Sequence, residues 1–192
     1  TRLDGPAAAV EATAAFAPDA RTLDLDLAVD GTAAGFFATA AGLAPDAPVN
    51  ARLTGKGPLI AWQGHLRASL GPTARAGLEL GVAEGAQLHV KGKVTPGDLA
   101  PAPVPELLGG PAELDLTLAR GDGWRRVEIG ESRIATPNAR LDLAGSYDTD
   151  TGTLDARADL AVTDAAALNR LAGPAAVRDA TLRVRAEGPL LA

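Results

Sequence analysis

The residues that could do chemistry are few. Asp150-Thr151-Gly152 carries the tripeptide of an aspartic-protease loop. That chemistry needs two such loops facing each other, so that two carboxylates share one proton. One copy is present, and Tyr147-Asp148-Thr149 precedes it where an apolar strand end is needed. A hairpin turn is the reading that fits. Asp148-x-Asp150-x-Gly152 also resembles half of a calcium loop, but no third oxygen ligand and no distal Glu follow at the spacing an EF-hand uses. His65 and His89 sit at polar positions of alternating stretches, with no Cys or third His to join them in a metal site. The Gly-Lys-Gly and Gly-Asp-Gly runs lack the strand–loop–helix setting of a phosphate cradle. No Gly-x-Ser-x-Gly elbow surrounds Ser69, Ser132 or Ser146. The sequence therefore predicts no catalytic centre, no metal and no cofactor.

The elements carry more information than the reactive groups. Apolar residues recur at every second position, the signature of a strand with one wet and one dry face. Leu23, Leu25, Leu27 and Val29 alternate with Asp24 and Asp26. Comparable series run along Leu59–Leu70, 74–82, 88–94, 114–118, 127–129, 141–143, 154–162 and 182–186. Between them lie Gly71-Pro72, Glu84-Gly85, Gly121-Asp122-Gly123, Thr136-Pro137-Asn138 and Asp150-Thr151-Gly152, all of hairpin type. The expected fold is all-β, with long antiparallel amphipathic strands in an elongated, curled sheet.

Composition sets the bounds. The chain has 192 residues, a formal net charge of −6, no Cys and only 3% aromatic residues. An acidic balance with scattered cations does not suit nucleic acid. No run of 18 apolar residues is present to span a bilayer as a helix. With so few aromatics the apolar face must be built from Leu, Val and Ala, giving a smooth, shallow surface. Trp62 and Trp124 read as core packing or as side chains at an interface with lipid.

Two stretches break the alternation. The prolines of Thr95–Gly110 interrupt it, and Asp164–Gly173 has the N-cap, apolar stripe and terminal Gly of a brief helix. Both lead into Gly-Pro-Ala, at Gly110 and at Gly173, and a third copy stands at Gly5. Gly-Pro-Leu recurs at Gly57 and Gly188. The chain thus reads as one segment, 1–192, of a longer repetitive β protein with short helical or turn inserts near 97–110 and 164–173, in a quasi-one-dimensional stack.

Such a sheet can close its apolar face as a sandwich or leave it open as a groove. An open groove exceeds the few hundred Å² of apolar patch that soluble proteins tolerate, and so calls for a ligand. Acyl chains suit it, since each CH₂ transferred from water is favourable by about 0.8 kcal/mol. The residues expected to line such a groove are Ile60, Trp62, Leu66, Leu70, Leu78, Leu80, Val82, Leu88, Val90, Leu114, Leu116, Leu118, Val127, Ile129, Leu141, Leu143, Leu154, Leu160, Val162, Leu182 and Val184.

The stretch RLDLAGSYDTDTGTLDARADLAV, the DAAALNRLAG insert and ATLRVRAEGPL resemble the repetitive middle of TamB proteins, in the AsmA-like group of bacterial envelope proteins. The Leu141–Gly145 strand ending and the Gly-Pro-Leu joints at Gly57 and Gly188 carry the likeness. The resemblance implies a folded-over sheet, or β-taco, in a periplasmic protein anchored in the inner membrane of a Gram-negative envelope. It implies movement of phospholipid towards the outer membrane along the groove. It also implies an outer-membrane barrel partner of the TamA type, engaged through a region outside this segment.

Two other readings come from the residues. One is a structural or assembly β repeat, an adhesin stalk or chaperone whose apolar faces close on each other without lipid. The other is an enzyme or sugar-binding β domain, which needs aromatics and carboxylates in one cleft. The sequence does not supply the aromatics.

Overall fold

In the computed structural model the structure describes residues 9–32, 47–84, 86–97, 108–121, 125–164 and 180–189. All eleven described elements are strands: β1 (Ala9–Ala17), β2 (Thr22–Thr32), β3 (Pro48–Pro58), β4 (Gln63–Leu70), β5 (Ala74–Ala83), β6 (Gln87–Thr95), β7 (Ala112–Gly121), β8 (Arg126–Ala135), β9 (Ala139–Asp148), β10 (Thr153–Val162) and β11 (Ala180–Pro189). They form one antiparallel sheet in chain order, β1 to β11, a pure meander. Each strand of 8 to 11 residues pairs with its sequence neighbours. Among the described residues no pairing joins β1 to β11, and these two strands are the edges of the sheet.

The register explains why alternation was so legible. One row of side chains crosses the whole sheet: Ala12, Leu27, Leu53, Leu66, Leu78, Gly92, Leu114, Ile134, Leu141, Leu160 and Leu182. A one-residue slip in any strand would turn its apolar set to the other face. On that other face, charged partners hold the same register. Lys91 pairs Asp115, Lys93 pairs Glu113, Arg133 pairs Asp142 and Arg183 pairs Asp159, each across adjacent strands. These pairs are exposed and individually weak. Their contribution is to choice of register more than to stability.

β8 contains the one irregularity in the ladder. Its pairing with β7 shifts between Asp115 and Leu118, and its pairing with β9 shifts between Ile129 and Ser132. One extra residue is accommodated at Gly130–Glu131, a β-bulge. The apolar face therefore uses Val127 and Ile129 before the bulge and Ser132 and Ile134 after it. Ser132 is 3% exposed and repairs the broken ladder. Its Oγ accepts from the Thr117 N–H at 3.0 Å and donates to the Thr117 carbonyl at 3.4 Å.

Several sequence expectations need correction. Leu59–Leu70 is not one strand: β3 ends at Pro58, residues 59–62 turn, and β4 begins at Gln63. Leu59 donates its N–H to the Arg21 carbonyl, and Ala61 donates to Pro58, which shapes the turn. The strands β1 and β3 were not anticipated, because Ala-rich β1 and Gly-interrupted β3 show weak alternation. Of the predicted inserts, residues 98–107 and 165–173 lie outside the described residues, as does Gly5.

The suspected repeat has a structural counterpart. Gly57-Pro58 faces Thr22-Leu23 as Gly188-Pro189 faces Thr153-Leu154. The two glycines have φ of 139° and 140°, a region that glycine adopts readily. β2–β3 and β10–β11 are thus equivalent hairpins. The long connections leave the sheet after β2, β6 and β10, at one rim and four strands apart, while the opposite rim has only short turns. The connection after β2 was missed in the sequence because it lacks Gly-Pro-Ala.

Candidate functional site

The candidate site is the apolar face itself. Every strand residue among the predicted groove positions lies on it, from Leu66 and Leu70 on β4 to Leu182 and Val184 on β11. Ile60 does not: it sits in the β3–β4 turn and is 61% exposed. Trp62 also lies in that turn, but its ring reaches back over the face. The row Ala14, Leu25, Gly55, Gly64, Leu80, Val90, Leu116 has two adjacent glycines. The Trp62 indole fills that gap, so close that a Cβ on Gly55 or Gly64 would collide with the ring. Trp62 is 9% exposed, and its buried N–H has no acceptor among the described residues. The face also includes Leu23, Leu25, Leu27 and Val29 of β2, Leu53 of β3 and Ile134 of β8, which the predicted set lacked. Trp124 lies outside the described residues.

This face is not a packed core. Among the described apolar residues, only Trp62, Ala74 and Ala112 are buried. The Leu and Val side chains shield one another sideways, and none of the described residues forms a second layer on them. Exposure is greatest at the open edges, on Val10 and Phe16 of β1 and Leu182 of β11. Ten strand spacings of about 4.8 Å and strands of about 33 Å give a face of roughly 1,500 Å². That is several times the apolar patch that ordinary soluble proteins tolerate.

The opposite face is charged and walled. Four hollows of about 510, 360, 220 and 480 Å³ open on it. Long Arg, Lys, Asp and Glu side chains form their walls where Gly and Ala supply the floor. The largest is lined by Asp115, Glu131, Arg133, Asp142, Arg157 and Asp159, whose charges largely pair with one another. The apolar face, with rows of similar side-chain height, is smooth by comparison.

The reactive-looking residues take structural places. Asp150-Thr151-Gly152 is the β9–β10 turn, with Gly152 at φ 66°. Asp148 Oδ1 accepts from the N–H groups of Asp150 and Thr151 and from the Thr151 hydroxyl. Those bonds, the Thr151 N–H first, hold its carboxyl below the usual range. His65 lies on the charged face opposite Thr54 and Glu79. His89 Nδ1 meets Thr117 Oγ1 at 3.1 Å. No metal-holding cluster of His, Cys, Asp and Glu occurs among the described residues.

Two more carboxyls are held low on the charged face. A hydrogen bond from Lys93 lowers Glu113, and hydrogen bonds from Arg140 and Arg133 lower Asp142. A carboxyl lowered in the fold contributes stability that is present above its unfolded value and lost as pH falls through the folded one. The thermal midpoint is therefore expected to stay level from about pH 8 to 5 and to drop below about pH 4. A midpoint that rises on acidification would contradict the assignment.

Compared with protein-family models, curated proteins and solved structures, the chain matches none. Function must therefore be argued from the faces. No described helix is long and apolar enough to cross a membrane, which says nothing of strands.

Proposed function

We propose that this chain is a hydrophobic-groove segment that carries phospholipid acyl chains and has no catalytic activity of its own. The observation that supports it is the apolar row from Ala12 to Leu182, interrupted at Gly92 alone, on a face that no second described layer covers. A surface of this kind gives acyl chains non-directional contact, favourable by about 0.8 kcal/mol per CH₂. No polar anchor stops a chain from sliding, which suits transfer more than storage. In this reading the sheet curls in the manner of a β-taco, short inserts close over it, and the protein is periplasmic, of the TamB and AsmA-like kind, supporting outer-membrane biogenesis with a barrel partner.

Photo-crosslinking amino acids placed by parity test the proposal. Probes at Leu80, Leu116 and Leu143 should capture phospholipid. Probes at Glu79, Asp115 and Asp142, one residue away on the charged face, should not. Equal labelling on both parities would sink it. In the full-length protein, Leu116→Arg should impair lipid passage without preventing export to the envelope. Normal outer-membrane integrity in that variant would exclude a continuous groove.

A further inference from the structure

The side chains of the charged face stand back over β5, at Gly77 and again at Gly81, and Gly77 is the one ringed by cations. β5 places Gly77 in the middle of the sheet, exposed, with open space where a Cβ would be. Glycine weakens a strand interior, and its presence there commonly marks the close approach of something else. Around Gly77 the register puts Arg67 and Lys93 directly across on β4 and β6, and Arg75 and Glu79 two residues away on β5 itself. His65, Ser69, Lys91 and Thr95 occupy the diagonal positions. The hollow over Gly77 has a volume of about 480 Å³, with His65, Arg67, Glu79, Lys91 and Lys93 among its lining.

The charge balance here is unlike the rest of the face. Four cations stand against one carboxylate, in a chain whose net charge is −6. Lys91 and Lys93 lean away to Asp115 and Glu113. Arg67 and Arg75 have no acidic partner among the described residues. Arg67 also lies directly across from Arg52, a like-charge pairing that costs stability. Arg52 turns from it to Asp26, at 2.7 Å. Arginine presents a planar fork of donors that suits a tetrahedral oxyanion.

We propose that this hollow binds a phosphate group, held by Arg67 over the Gly77 gap, with Lys91 and Lys93 at the far wall and Arg75 adjoining its margin two residues along β5. The group is either free or borne on a lipid headgroup. The site is on the face opposite the apolar row, so its failure would leave the acyl-chain reading untouched. Two probes separate the sources: pyrophosphate, followed by titration calorimetry at low salt, and phosphatidylglycerol vesicles, compared with phosphatidylcholine vesicles in flotation.

Saturable binding of either probe by the full chain is expected. It should weaken about tenfold or more in Arg67→Ala, the loss of a charge-assisted hydrogen bond. It should disappear in Gly77→Glu, which fills the hollow with a carboxylate at a position whose backbone and surroundings accept a side chain. Circular dichroism would confirm that both variants keep the sheet. Pyrophosphate binding identifies a free phosphate as sufficient, while capture by phosphatidylglycerol vesicles alone identifies a headgroup. Binding of neither probe, or binding that Gly77→Glu leaves unchanged, overturns the proposal.

Discussion

Trp62→Ala is expected to destabilise the sheet by about 3 kcal/mol, at the lower end of the range for a large buried aromatic. Few other contacts in the molecule concentrate so much in one side chain. The indole covers Gly55 and Gly64, and among the described residues the other buried apolar groups are small, Ala74 and Ala112. Truncation would leave two strands facing each other through paired glycines with no side chain above them. Trp62→Phe should cost far less, because the buried indole N–H makes no hydrogen bond to lose. Gly64→Ala should reproduce part of the loss by pushing the ring off the face. Urea unfolding followed by circular dichroism measures all three. A loss below about 1 kcal/mol in Trp62→Ala would show that the ring is not part of the structural surface.

Gly92→Ala should be nearly as damaging, by about 2–3 kcal/mol. Gly92 is the single non-side-chain position in the otherwise apolar row between Leu78 and Leu114. Its φ of 149° disfavours any residue with a Cβ, and that Cβ would run into the Gly77 carbonyl oxygen, a backbone atom that cannot swing aside. The internal control is Gly77→Ala on the neighbouring strand, where the Cβ meets nothing. That change should be neutral or slightly stabilising, since it restricts the unfolded chain without native strain. Equal melting points for the two variants would refute the assignment of strain to Gly92.

These glycines also show where sequence reasoning stops. Leu and Val on β4, β5, β7, β9 and β10 declare their face because alternation with charge has a period of two and nothing interrupts it. The antiparallel fold and the parity of the candidate face were legible for that reason. β3 was not, since Gly55 and Gly57 stand where its apolar residues would be, and the group that completes that surface, Trp62, comes from the following turn. Reading Leu59–Leu70 as one strand gave Trp62 the right face through the wrong backbone, and misplaced Ile60. In β8, Val127 and Ile129 were found, but Ile134 was not, because the bulge at Gly130 changes the parity. Gly130 between Ile129 and Glu131 was the available signal. The cation ring around Gly77 could not be seen at all from one strand, as its members come from β4, β5 and β6.

The meander has a consequence for how the protein comes into being. Among the described residues, every strand after β1 pairs with the one synthesised just before it. Closing such local hairpins costs little loop entropy, so formation can proceed in the order of emergence, one strand at a time.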